Sequence, residues 1–388
     1  MKKLIALLLA LVMVLALTAC GGSTTSAPAA EEAPAAEPAA ENAAPAEEPA
    51  AAAEEPAAEA GAEYPTMTLN VSCSYNEAET SGQQLAYFAD YVTEKSGGNI
   101  TFNIYWGGTF CSAAEDLDYV GNGSVDMTLL SNAQYADVLP LTNFPTMAGG
   151  SQENVVEMVE YIMFENPETS PLVQQELTDH NVKVLAVNAG GTNAIASKTP
   201  LASYEDCAGK IIGAMMNQST YEDLGMTFKF SVPPETYSDL QKGVVDCAGL
   251  SLAGVVGLAW YEVAPYVITD GMYSCSNYYT INLDKWNSLD EVTQALLQEA
   301  ADAARDNSFV LNEGEYENCV AIIDNYNAEK GVDAKVAAQD DAHAQTQVET
   351  YMKNAFADCR TLAANAGKTD EMETILAAVA DYLGLEVE

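Results

Sequence analysis

Reactive side chains are unevenly supplied in this 388-residue chain, which has 57 Asp and Glu, 15 Lys and Arg, eight Cys and two His. A nucleophile elbow, a zinc-binding helix motif and a phosphate-cradling glycine loop are all missing. No two cysteines stand in a C-x-x-C pair, so zinc-type spacing is absent. Cys247 with His180 would supply a nucleophile and a base. A packed strand cysteine and an exposed helix-end histidine account for the same residues more simply. With so many acids, a pair of neighbouring carboxylates carries no information about acid–base catalysis. No catalytic residue, metal ligand or cofactor is therefore assigned. The only arginines, Arg305 and Arg360, fall in the C-terminal helical region. The net charge of −42 argues against nucleic acid or an anionic membrane surface as partner.

The first twenty residues have a separate role. Lys2 and Lys3 precede an apolar run from Leu4 to Leu17, which reads as a secretory signal and is short for a membrane span of about 20 residues. Its end, Leu17-Thr18-Ala19-Cys20-Gly21, resembles the bacterial lipobox, which implies a lipid on Cys20 and an extracytoplasmic chain anchored at the cell surface or periplasmic face. Residues 21–63 are almost wholly Ala, Glu, Pro, Gly, Ser and Thr. They contain too little large apolar surface to offset ordering entropy, and read as a disordered tether. At about 3.1 Å per extended residue it reaches on the order of 100 Å. Of the seven cysteines after Cys20, an odd number, spacing decides neither bridges nor buried thiols.

From residue 64 the composition is globular and long enough for two lobes. Met67, Leu69, Val71 and Cys73 alternate as a strand, Leu85, Phe88, Ala89 and Val92 follow helical spacing, and Ile100 to Trp106 alternate again. A helix near 112–121 then leads to the strand "VDMTLL". A second series follows, with strands at 181–188, 193–198, 209–215, 227–231 and 244–249, and helices near 218–224 and 234–242. Residues 276–286 alternate as one more strand. Ser288 to Glu291 has capping-box form and opens an unusually long helix or bent pair, and the C-terminal third is helical. "LDYVGNGSVDMTLLS" (117–131) recurs in looser form as "LQKGVVDCAGLS" (240–251). Each joins a helix through glycine to a Val-Asp pair and an apolar run. Repeated βαβ edges of this kind predict two sheets, with ligand bound at their carboxyl ends across a cleft.

The stretches "LAYFADYVTEKSGGNITFNIYWGGTF", "GNGSVDMTLLS", "SKTPLASYEDCAGKIIGAM", "ETYSDLQKGVVDCAG" and "WYEVAPYVITDGMYSCSNYYTINLDKWNSLDEVTQALLQEA" occur in that order. Together they resemble the solute receptors of TRAP (tripartite ATP-independent periplasmic) transporters, the DctP-like family, over roughly residues 64–330. The resemblance implies a two-lobed α/β fold of periplasmic-binding-protein type II kind, a Venus flytrap with crossover strands and a long connecting helix. It implies a small-molecule solute and membrane permease subunits as partners. Lobe I is expected over 64–189 plus about 278–317, and lobe II over 190–277 plus about 318–388 with the C-terminal helices.

Departures from the family pattern concern specificity. The family's "GKIR" arginine, which forks onto a ligand carboxylate, corresponds to Ile212, and its "GFR" arginine to Asn193. The polar end of "VDGQEN" is lost in Val245 to Leu250. An arginine–carboxylate fork at the usual place is thus impossible, and a simple dicarboxylate is not expected. Lys210 offers a point charge in its stead. By position, the cleft is expected to use Ser74, Tyr75, Ser112, Ser131, Asn132, Asn193, Ile212, Met216, Asn217, Pro233, Cys247, Leu250 and Tyr278, with Asn193, Ser131 and Asn217 as polar anchors. The alternatives are the binding lipoprotein of an ATP-driven (ABC) importer, a surface-anchored enzyme working in the same cleft, and a sensor subunit.

Overall fold

The computed structural model describes residues 64–385. The expected signal, Cys20 and the tether lie outside the described residues. The first half of the fold grows from β1 (Met67–Ser72), α1 (Thr80–Lys95), β2 (Ile100–Tyr105), α2 (Asp116–Gly121) and β3 (Met127–Ser131). β1 lies parallel to both β2 and β3, as alternating strands joined by helices require. The second half repeats this plan with β6 (Ile211–Ala214), α5 (Gln218–Asp223), β7 (Thr227–Phe230), α6 (Pro233–Lys242) and β8 (Cys247–Ser251), again with the middle strand parallel to its two neighbours.

The recurring sequence has a structural counterpart. Gly123 and Gly243 both take the left-handed conformation, at φ 76° and 72°, that lets a helix stop without a Cβ clash. Behind each, the aspartate of the Val-Asp pair clips the neighbouring strand. Asp126 N donates to Asn70 O (2.9 Å), and Asp126 Oδ2 accepts from Asn70 N (2.8 Å). Asp246 N donates to Ile211 O (2.8 Å), and Asp246 Oδ2 accepts from Ile211 N (2.9 Å).

Between the halves come β4 (Met147–Gly149), α3 (Gln152–Glu160), α4 (Ser170–Asp179) and β5 (Val182–Ser197). After β8 follow α7 (Leu252–Gly257), β9 (Tyr266–Asn282), α8 (Leu283–Ser288), α9 (Glu291–Lys330), β10 (Ala337–Ala338), α10 (Asp341–Ala366) and α11 (Thr369–Leu383). The expected pair of sheets is one hydrogen-bonded sheet of order β2-β1-β3-β9-β5-β8-β6-β7, with β4 and β10 also paired to β9. Two long antiparallel strands cause this. β5 joins the expected strands 181–188 and 193–198 into one, and β9 starts ten residues before the expected 276. Their register shifts between Asn188 and Ala194, so the sheet is irregular at its waist.

Apolar packing separates on either side of this waist. One core gathers Leu69, Phe88, Leu129, Tyr279 and Leu297. There Phe88 stacks on Tyr279 at 5.2 Å, and the Tyr279 hydroxyl donates to Gln84 O at 2.9 Å. Beyond the waist, Ala196, Leu240, Val255, Trp260 and Ile323 form another core. Helix α9, about 60 Å long at 1.5 Å per residue, spans both: Leu297 and Ala304 enter the first and Cys319 and Ile323 the second. The C-terminal helices were expected with lobe II. Instead Met352, Phe356, Ile375 and Val379 share a core with Leu117, Val155 and Val184 of the first half; α10 packs on β4, β9 and the turn at 140–142, α11 on the turns at 140–142 and 161–165, and α10 also touches α5 and the turn at 204–207 of the second half.

At the waist the two strands approach closely. A Cβ on Gly190 would stand 2.3 Å from Ser274 Oγ and 3.2 Å from Ser274 O. We expect Gly190→Ala to lower unfolding stability by about 1–3 kcal/mol in chemical denaturation, as overpacking does. Adding Ser274→Gly should restore part of that loss, because it removes the nearer of the two clashing atoms.

Candidate functional site

A cavity of ≈ 470 Å³ opens at the waist, within the usual size range of about 300–1,000 Å³ for small-molecule sites. Five segments build it. The β1–α1 connection and the first turn of α1 bring Tyr75, Glu79, Thr80 and Ser81. The two crossing strands contribute Ala189 to Asn193, Ser274 and Asn277. From the second half, the β8–α7 corner supplies Ser251 to Gly254, and α9 lays Asn312, Glu315, Tyr316 and Cys319 along one face. That spacing of three, four and seven residues is one helical stripe.

Hydrogen bonds hold these walls in place. The Tyr75 hydroxyl donates to Asn277 Oδ1 (3.1 Å), and Asn277 Nδ2 donates to Ser81 Oγ (3.2 Å). Thr80 Oγ1 donates to Glu315 Oε1, which ties α1 to α9. Asn312 Nδ2 donates to Ala189 O (2.9 Å), and Ser308 Oγ accepts from Ala189 N (3.1 Å). Thus α9 satisfies backbone groups of β5 where its register shifts, as buried backbone requires. No Lys, Arg or His is among the residues that line the cavity. The two arginines serve helices: Arg305 Nη1 donates to both Glu160 oxygens at 2.9 and 3.1 Å, and Arg360 Nε donates to Glu373 at 2.8 Å.

Of the expected residues, Tyr75 and Asn193 line this cavity. Asn193 Nδ2 lies 2.9 Å from Met147 Sδ. Ser131 pairs with Asn277 across the sheet, and Leu250 immediately precedes the lining residue Ser251. Ser74 is half-buried beside Tyr75 but is not in the wall. Met216 and Asn217 belong to a different cavity of ≈ 440 Å³, shared with Asn143 to Thr146 and with α10. Ile212, Cys247 and Tyr278 are completely buried in apolar cores. Asn132 is buried and brackets Thr142, donating to its carbonyl (2.8 Å) and accepting from its hydroxyl (3.0 Å). Ser112 bonds Glu115 at the surface, and Pro233 is the first residue of α6. Lys210 bonds the carbonyl of Asp206.

Sequence reasoning missed the contribution of α9 and the Gly190-Gly191 pair. The glycine pair, set between two strand patterns, was a readable signal of close backbone approach. Cys247 sits in the second half's core, whereas His180 ends α4 in the first, so the two do not form a nucleophile–base pair. All seven cysteines among the described residues are buried and unbridged. Burial pushes the Cys73 thiol up to about 12 and that of Cys319 to about 11, away from thiolate reactivity.

One buried acid supports the waist. Asp270 of β9 is 2 % exposed and accepts from Met272 N (3.0 Å) and Thr192 Oγ1 (3.3 Å). Burial outweighs these bonds and raises its carboxyl to about 7.

Lobes divided by a cleft and joined by crossing strands and one long helix define a two-lobed solute-binding protein. The profile of DctP, described as bacterial extracellular solute-binding protein, family 7, matches residues 71–358, and the chain belongs to that family. A solute-binding protein of Sulfitobacter sp. (strain NAS-14.1) is 25% identical over 238 residues, which are 59% of this chain and 70% of that protein. The ectoine-binding periplasmic protein TeaA of Halomonas elongata is 23% identical over 227 residues, 57% of this chain and 65% of its own length. The apo structure of TeaA, from the TeaABC TRAP transporter, superposes with a TM-score of 0.66 at 20% identity, covering 81% of this chain and all of that one. An apo open TRAP periplasmic solute-binding protein from Rhodobacter sphaeroides gives 0.67 at 18% identity, covering 82% and 98%.

Asp270 generates a pH prediction. Its folded pKa lies above the ordinary carboxylate value, so its contribution is most favourable in acid and is lost as pH rises from about 4 to about 7. The stability of the unmodified chain minus that of Asp270→Asn should fall by up to about 4 kcal/mol across that range and then level off. Urea denaturation of both proteins at successive pH values measures this difference.

Proposed function

We propose that this chain is the extracytoplasmic receptor of a TRAP-type secondary transporter, capturing a small solute by hinge closure and delivering it to membrane permease subunits. The observation that carries the reading is the cavity at the waist, walled by elements of both halves and by the two strands that join them. Solute that bridges both sides favours the closed form, and only that preference shifts the equilibrium. No catalytic role is assigned: the cavity's polar groups tie its walls together, Tyr75 to Asn277, Asn277 to Ser81 and Thr80 to Glu315.

The lobes divide within the waist, with the N-terminal part of α9 and the helices α10 and α11 in the first. Tyr75 and Asn193, from the expected set, act with Asn277, Ser274 and Asn312 as polar contacts. The absence of a basic residue from the wall, together with Ile212 and Asn193 at the family's arginine positions, supports a solute other than a simple dicarboxylate. Anchoring to the membrane through lipidated Cys20 rests on the lipobox-like sequence, and the Ala-, Glu- and Pro-rich tether gives the receptor reach. Among the described residues no helix is long and apolar enough to cross a membrane.

Mass spectrometry of the solute retained through purification tests the reading. Small-angle scattering before and after its removal should show compaction with solute present. A retained solute that leaves the radius of gyration unchanged, or that is chemically converted, would count against a closing receptor. Cys20→Ser should move the chain from the membrane fraction to the soluble one; continued sedimentation with membranes would refute the lipid anchor.

A further inference from the structure

We propose that the solute is a small organic cation, carrying an ammonium or amidinium group, and that Glu315 is its principal charge partner. This rests on the receptor reading above. The cavity wall holds two carboxylates, Glu79 and Glu315, and no basic side chain. Glu79 stands at the exposed entrance, whereas Glu315 is half-buried on α9. One Glu315 oxygen is satisfied by Thr80 Oγ1. The other, Oε2, faces the waist, where Gly191 offers no side chain: a Cβ there would be 3.7 Å away. Among the described residues no Lys, Arg or His lies within ion-pair distance of Glu315.

Closure makes this decisive. Water leaves the cavity when the lobes approach, and a carboxylate enclosed without a counter-charge is costly. An anionic solute would add a like charge at the same place. A cation cancels the Glu315 charge, so closure is favourable only when one is present. Recognition and closure are thereby the same electrostatic event. Tyr75 and Tyr316 also line the cavity, and aromatic rings suit cations. The net charge of −42 draws cations towards the protein and repels anions.

The test is calorimetric titration of the full chain, held in mild detergent, with putrescine, agmatine, succinate and D-galacturonate at low and high salt. A cationic probe should bind, and more weakly as salt screens the contact. Glu315→Gln should weaken that binding at least about ten-fold, as loss of a charged hydrogen bond does. Glu315→Asp should retain part of it, and Glu317→Gln, on the same helix outside the cavity, should retain all of it. Circular dichroism checks that each variant is folded, and the ranking of probes on the unmodified chain needs no variant. Tight binding of succinate or galacturonate, unaffected by Glu315→Gln, would overturn the cation assignment and leave the receptor reading standing. Failure of both cationic probes to bind would also overturn it. The receptor reading fails separately, through the retained solute and the scattering measurement.

Discussion

The antiparallel pairing of β5 with β9 is the constraint on which the molecule depends. These strands, Val182–Ser197 and Tyr266–Asn282, belong to both halves of the sheet, so each half is completed by segments that continue into the other. A regular ladder at the crossing would make one stiff sheet. The register shifts between Asn188 and Ala194 interrupt it, and the freed backbone groups of Ala189 are taken up by Ser308 and Asn312 of α9. The waist is therefore irregular while the backbone groups of Ala189 stay hydrogen-bonded, which suits a hinge that bends without leaving them unpaired.

On either side, the halves use the same local device. Glycine ends a helix in the left-handed region, and an aspartate clips the adjoining strand through both its amide and its carboxylate. The carboxylate takes an N–H at the strand's edge that would otherwise need water or another strand. Two such clips explain why an Asp follows Val in both copies of the repeated motif: its side chain completes the ladder where the strand begins. The apolar cores then form independently beyond the waist, while α9 runs through both and carries polar residues past the cavity.

The wall's charge is as informative as its shape. Both arginines are committed to carboxylates on helices, and the positions where the resemblance would place the family's arginines hold an apolar core residue, Ile212, and a polar amide, Asn193. Ile212 lies under the surface of the second half, so its replacement removes a charge and also repacks the strand. What remains facing the waist is amide, hydroxyl, tyrosine and carboxylate. Family membership and solute charge are separate matters, because the cores that set the fold reach the cavity only through apolar residues such as Ala189, Leu252 and Cys319.

Local patterning was enough to recover the βαβ units, the repeated glycine joint and the long helix, because each follows from residue type and spacing within a few turns of chain, whereas the missing arginine fork was implied by the resemblance to the family. Tyr75 and Asn193 line the cavity; the first was expected from its place after the first strand and the second from the family's "GFR" position. Met216, Asn217, Cys247 and Tyr278 were not correctly placed, since alternation tells which residues share a face but not which face meets solvent. Only the tertiary structure decided that segments 181–188 and 193–198 are one strand crossing a longer β9, that α10 and α11 share the core of the first half, and that Glu315 reaches the waist. Those outcomes depend on contacts between residues tens to hundreds of positions apart, such as Thr80 with Glu315 and Tyr75 with Asn277. Sequence periodicity carries no record of such separations, because they arise from how elements pack rather than from how any one of them forms.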